Sequence, residues 1–148
     1  MAKLFTFEVH TPYRLFFSEQ VEAVVMTLLD GEIGIYAGHV PITSPVLTGV
    51  LKIKDKEGNW KEAFVAEGIV EAHDKKVILL VDSAEWPWEI DYDRALTSKK
   101  NAEDVLKTRN FKFEIVHTKA RLKRAEARIK VYKRGEELGL LKKDESRL

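Results

Sequence analysis

Val77-Ile78-Leu79-Leu80-Val81-Asp82-Ser83-Ala84-Glu85-Trp86-Pro87-Trp88-Glu89-Ile90-Asp91 is the stretch where this chain changes character. Its first five residues are the longest purely apolar run, too short for a membrane helix, which needs roughly 20, and suited to a buried strand. The Trp-Pro-Trp that follows breaks any regular element. Asp91 can then cap a helix, its carboxylate accepting the free N–H groups of the first turn.

All four prolines and six of the eight glycines precede residue 88, and neither breaker occurs from 88 to 134. Upstream, apolar and polar residues alternate with the two-residue period of half-buried strands: Phe5, Phe7, Val9; Leu51, Ile53; Val77, Leu79, Val81. Turn chemistry separates them at Asp30-Gly31, Glu57-Gly58-Asn59 and Asp74-Lys75. Many short strands, each with one apolar face to bury, predict an antiparallel β-sandwich or barrel.

Downstream the period becomes helical. A first helix is expected over about residues 91–108, with Ala95, Ala102 and Leu106 on its inner face. Ile115, Thr118, Leu122, Ala125, Ile129 and Tyr132 draw one stripe along a second, from about 113 to 134. An antiparallel hairpin turning across Thr108 to Lys112 is the economical arrangement. Gly135 and Gly139 should weaken a helix beyond that point, and residues 135–148 form a tail to which the sequence assigns no role. The domains are therefore 1–86, a sandwich, and 89–134, a basic helical hairpin.

The total charge of +1 conceals a division. Residues 1–90 carry 8 Lys/Arg against 14 Asp/Glu, net −6, while residues 91–134 carry 14 against 6, net +8. A basic hairpin should be attracted to an acidic partner surface, although the same cations also serve as an ordinary solvated face. With no cysteine, disulfides, thiolate metal sites and thiol catalysis are excluded. His10, His39, His73 and His117 stand singly, without metal-ligand spacing, and Ser44 and Ser83 lie in no hydrolase motif. Nothing points to catalysis. Trp86 and Trp88 are expected to anchor the hairpin on the sandwich.

Gly31-Glu32-Ile33-Gly34-Ile35-Tyr36-Ala37-Gly38-His39-Val40-Pro41-Ile42-Thr43, continuing through Leu47-Thr48-Gly49-Val50-Leu51, resembles the signature of the epsilon subunit of F-type ATP synthases, called delta in mitochondria. The resemblance extends to about residue 134. It implies a sandwich of about ten strands followed by a helical hairpin, in a non-catalytic rotor subunit of a proton- or sodium-driven enzyme. It implies that the sandwich meets the gamma subunit and the c-ring, through Glu32, Gly38, His39, Val40 and Pro41. It implies further that the hairpin either lies folded on the sandwich or extends along gamma, where it restrains ATP hydrolysis by meeting an acidic beta segment through Lys119, Arg121, Lys123, Arg124 and Arg128, with Lys130, Lys133 and Arg134 nearby. Such a subunit would sit peripherally on the cytoplasmic face of the inner (plasma) membrane, held there by the complex.

Ile90-Asp91-Tyr92-Asp93-Arg94-Ala95 also resembles the Ile/Leu-Asp-x-x-Arg-Ala element of epsilon subunits that bind ATP. That likeness implies an adenine side of Glu85, Ile90, Asp91, Arg94 and Ala95 and a phosphate side of Arg124 and Arg128. No cofactor is required on this reading, and ATP is a regulatory ligand. The sequence departs from such relatives at Asn101, beside Lys100, where they carry another arginine. With or without nucleotide, Asp91 would serve as an N-cap and Arg94 as a surface charge. A rival function is nucleic-acid binding by the basic helices, opposed by the acidic first domain.

Overall fold

The computed structural model describes residues 3–108 and 112–141, with Phe113 as backbone only. The chain divides into two compact units between Ala84 and Glu85.

The first unit is built from nine strands: β1 (Phe5–His10), β2 (Leu15–Leu28), β3 (Gly31–Tyr36), β4 (Ile42–Val46), β5 (Gly49–Asp55), β6 (Trp60–Val65), β7 (Gly68–Ala72), β8 (Lys76–Val81) and β9 (Ala84–Glu85). Hydrogen bonding orders them β4-β7-β8-β1-β2-β5-β6-β9, with β3 also on β2. β2 explains how this path makes two layers. Leu15 to Val21 pairs with β1, whereas the stretch to Leu28 pairs with β3 and β5, and the register shifts between Val21 and Ala23. One bent strand thus serves both layers, as strands do when they cross from sheet to sheet at a bulge. About ten strands were expected and nine are seen among the described residues.

The alternating residues face inward as their period demands. Phe7, Val9, Leu51, Ile53, Val77 and Leu79 are each 0% exposed, while Leu80, one step out of phase, is 44% exposed. Burying each such side chain contributes about 1.5–3 kcal/mol. The antiparallel expectation needs one correction: β1 and β8 run parallel, Phe7 opposite Val77. No hairpin joins these strands, so turn geometry does not dictate their direction. Pro45 sits on β4, an edge strand, where a missing N–H costs no more than half a ladder.

The turns form where their chemistry places them. Gly58 (φ +85°) closes the β5–β6 hairpin, and the buried Asp55 carboxylate accepts the N–H groups of Glu57 (3.0 Å) and Asn59 (2.9 Å). On β1, Glu8 accepts a hydrogen bond from His10 (2.9 Å) and an ion pair from Lys76 (3.1 Å). The His10 bond first, then Lys76, holds the Glu8 carboxyl below its ordinary value.

The second unit opens with a 3₁₀ turn, Pro87–Glu89, followed by α1 (Tyr92–Thr108) and α2 (Lys112–Glu137). Asp91 is the N-cap: its carboxylate accepts the Arg94 N–H at 3.1 Å. A cap of this kind is worth about 1 kcal/mol. The rings of Tyr92 and Tyr132 stack at 4.5 Å, which pairs the start of α1 with the end of α2 and makes the helices antiparallel. Ala95 and Ala102 on α1 and Thr118, Ala125 and Ile129 on α2 are buried, as the helical stripes require, while Leu106 is half-buried. The turn expected across Thr108 to Lys112 falls on residues 109–111, outside the described residues.

Two features of α2 differ from expectation. Ala127 and Val131 lie off the stripe yet are buried; with Gly135 they form a second ridge, each four residues apart. The helix also passes through Gly135 instead of weakening there. A Cβ at that position would stand 2.6 Å from the Pro87 Cβ, so the close approach of the 3₁₀ turn demands a residue without a side chain. Gly139 (φ +69°) then ends the helix as a Schellman cap, with Leu140 N–H donating to Gly135 C=O (2.7 Å) and Gly139 N–H to Glu136 C=O (3.2 Å). Residues 142–148 of the expected tail lie outside the described residues.

Candidate anion-binding site

Helical spacing puts Arg121, Arg124 and Arg128 (i, i+3, i+7) on one face of α2. On α1 the same spacing puts Asp91, Arg94, Ala95 and Ser98 on one face. These faces meet over a cavity of about 530 Å³, whose wall is completed by Glu85, Glu89 and Ala125. That volume lies in the range of small-molecule sites. Of the residues expected to form a nucleotide site, Glu85, Asp91, Arg94, Ala95, Arg124 and Arg128 line this cavity together. Ile90 does not: it is buried, and its N–H donates to Pro87 C=O. Asn101 is exposed and also absent from the wall.

Charge is unevenly spread in the cavity. Glu85, Glu89 and Asp91 all lie where the chain enters the hairpin. Arg128 is held there by Glu85, Nε to Oε1 at 2.6 Å. Glu89 reaches back to the Trp86 N–H at 3.0 Å, and the rings of Trp86 and Trp88 stack on one another. Among the described residues, neither Arg94 nor Arg121 has an ion-pair partner. Guanidinium groups converging on one space, with more cations than carboxylates around it, suit a multiply charged anion bound through charge-assisted hydrogen bonds.

Sequence reasoning missed Glu89 and Ser98, and placed Arg121 only among outward contacts. Ser98 could have been found, since it follows Arg94 by four residues. The hairpin cations fall into two sets. Lys119, Lys123, Lys130, Lys133 and Arg134 are exposed and do not line the cavity, whereas Arg121, Arg124 and Arg128 do.

In the first unit, the Gly31–Thr43 segment forms β3, the loop after it and the start of β4. Glu32, Gly38, Val40 and Pro41 are exposed, and Val40 (76%) and Tyr36 (60%) offer apolar surface. Gly38 takes φ +82°, a conformation side chains resist. His39 is clamped: its Nδ1 lies 2.9 Å from Tyr36 C=O, its Nε2 contacts His73 C=O, and its ring meets the edge of Phe5 at 5.5 Å. The loop histidine therefore fixes the shape that presents Val40. Among the described residues no group of His, Cys, Asp or Glu is arranged to hold a metal ion.

Comparison with known proteins gives this arrangement its context. Residues 4–87 match the family model "ATP synthase, Delta/Epsilon chain, beta-sandwich domain", and residues 89–133 match "ATP synthase, Delta/Epsilon chain, long alpha-helix domain". The ATP synthase epsilon chain of Caldanaerobacter subterraneus subsp. tengcongensis is 42% identical over 139 residues, 93% of this chain and 100% of the relative. That of Caldicellulosiruptor saccharolyticus is 46% identical over 127 residues, covering 86% and 92%. A chain of the Euglena gracilis mitochondrial ATP synthase, solved as OSCP/F1/c-ring, shares the fold with a TM-score of 0.75 at 17% identity, over 84% of this chain and 78% of that one. The chain belongs to the ATP synthase delta/epsilon chain family.

Proposed function

We propose that this protein is a central-stalk subunit of an F-type ATP synthase, driven by protons or sodium, and that it joins gamma to the c-ring and restrains ATP hydrolysis through its basic hairpin. The observation that carries this reading is that one epsilon chain matches both modules in order, along its whole length. The solved relatives that share the fold come from assemblies described as OSCP/F1/c-ring and as central stalk/c-ring. The subunit acts by contact and catalyses nothing itself. Among the described residues no helix is long and apolar enough to cross a membrane, which accords with peripheral attachment, on the cytoplasmic face, through the complex. None of the relatives named above favours nucleic-acid binding.

In this reading the exposed loop around Gly38, Val40 and Pro41, with Glu32 beside it, meets gamma and the c-ring, and the hairpin cations meet an acidic segment of a beta subunit. Exposed ion pairs contribute roughly 0–1 kcal/mol each, so restraint takes several at once. In reconstitution of the catalytic head, full-length protein and a version ending at Ile90 should both bind gamma, and the full-length protein alone should slow hydrolysis. Equal slowing by the shortened version would refute the role of the hairpin.

ATP is the regulatory ligand of the hairpin cavity, supported by the convergence of Glu85, Asp91, Arg94, Ala95, Arg124 and Arg128. Bound there, it favours the arrangement in which α1 and α2 lie together. Reversing a 1:99 population to 99:1 takes about 5.5 kcal/mol of differential affinity, so a weak site tunes the arm without locking it. Calorimetric titration with ATP should saturate, and Arg94→Ala and Arg124→Ala should each weaken binding about tenfold, as the loss of one charge-assisted contact does. Isotherms unchanged by both substitutions would remove ATP from this account.

A further inference from the structure

The chain enters the hairpin through the Pro87–Glu89 turn, runs out along α1 and returns along α2, so the end of α2 arrives beside the turn where the hairpin began. Gly135 is buried at that meeting point. A Cβ on it would stand 2.6 Å from the Pro87 Cβ and 3.4 Å from the Leu141 Cδ2. Pro87 and Leu141, 54 positions apart in the sequence, thus converge on the side of Gly135 where a side chain would stand. Leu141 reaches that place because Gly139, at φ +69°, turns the chain back on the helix it has just left.

This cap differs from the ordinary one in what its apolar residue covers. A Schellman cap normally packs the residue after the turn on a side chain of its own last helical turn, at the position whose carbonyl accepts the longer bond. Here that position is Gly135, which accepts from Leu140 N–H and has no side chain to offer. The apolar residue that follows lies instead over the glycine, beside a ring from another element. The selection is specific: Leu141 is half-buried, while Leu138, on the same turn, is 59% exposed. Gly135 to Leu141 also lie past residue 133, where the match to the helical family domain ends.

Resting on the role of the hairpin proposed above, we propose that the turn Leu138–Leu141 is a latch. By seating Leu141 over Gly135 beside Pro87, it ties the end of α2 to the entry of α1 and holds the two helices together. Opening of the arm requires its release, so this turn sets how readily the arm leaves its closed arrangement and restrains hydrolysis. One half-buried leucine shifts such an opening equilibrium only several-fold, which suits a contact that has to let go.

The test is amide hydrogen exchange of the full chain, for the unaltered protein and for Leu141→Ser, Leu141→Met, Leu138→Ser and Gly139→Ala. The reporting amides are Glu89, bonded to Trp86 C=O at 2.9 Å, and Ala95, bonded to Asp91 C=O at 3.0 Å, both far from the substitutions in sequence. Leu141→Ser should speed their exchange about fivefold, and Gly139→Ala, which strains the reversal, by a similar factor. Leu141→Met should stay near the unaltered rate, because volume and apolarity are kept. Leu138→Ser should change neither amide. Acceleration confined to residues 132–141 would make the turn an ordinary helix cap and overturn the latch, as would equal acceleration by Leu138→Ser. In reconstitution with the catalytic head, Leu141→Ser should slow hydrolysis more than the unaltered protein does. If Glu89 and Ala95 exchange faster yet hydrolysis is unchanged, the latch stands and the role of the hairpin in hydrolysis is what fails.

Discussion

Gly68→Ala should lower the stability of the strand unit by about 3 kcal/mol, the upper end of the usual cost of an extra methyl in a packed interior. A Cβ at Gly68 would lie 1.8 Å from the Leu80 carbonyl oxygen and 2.8 Å from the Val81 Cα. Both are backbone atoms of β8, so no side-chain rotation relieves the overlap. β8 is flanked by β1 and β7, and a shift at Leu80 disturbs the ladders on both sides. Gly34→Ala supplies the contrast, because the atoms it meets, at 3.0 Å, belong to the exposed Tyr36 ring, which can turn away. Thermal unfolding should show a midpoint for Gly68→Ala on the order of 15 °C below that of the unaltered protein, with Gly34→Ala within a few degrees of it. Equal midpoints for the two variants would show that β8 yields cheaply.

Gly135→Ala is expected to reverse the ordinary sign of its substitution type. Alanine in a helix interior is normally favoured over glycine by roughly 0.5–1 kcal/mol, since glycine has more freedom to lose on folding. Here the new methyl meets the rigid ring of Pro87, at 2.6 Å from Cβ and 3.2 Å from Cγ. The clash should outweigh the propensity gain and leave a net loss of about 1–2 kcal/mol. A double-mutant cycle with Pro87→Gly isolates the cause: in that background Gly135→Ala should become neutral or stabilising. If it costs the same with and without the proline ring, the collision is not the reason. Since Glu85 and Glu89 flank this turn and line the cavity, the variant should also bind ATP more weakly, by the nucleotide reading proposed above.

How much of this was legible beforehand depends on how local each determinant is. The Phe5-Phe7-Val9 and Val77-Leu79-Val81 alternations identify strands and their buried faces because a two-residue period is written in adjacent positions. The parallel pairing of β1 with β8 is not, since it joins segments that no turn connects. The helices and their alanine faces were readable, but the ridge of Ala127, Val131 and Gly135 was hidden: its partner at Pro87 lies before α1, and glycine's propensity alone argues against a helix. In the cavity, Asp91, Arg94, Arg124 and Arg128 could be grouped by helical spacing and resemblance. A count of positive charges gave no direction to Arg121, because assigning it to a face requires the phase between two helices.

The passage of β2 from one layer to the other has a mechanical meaning. Two layers held only by interlocking side chains can slide when pushed in opposite directions. Here a single run of peptide bonds, Leu15 to Leu28, passes from one to the other, so shear is resisted by covalent geometry and by hydrogen-bonded neighbours at each end. A load applied to one layer is thereby carried to the other with little internal slip.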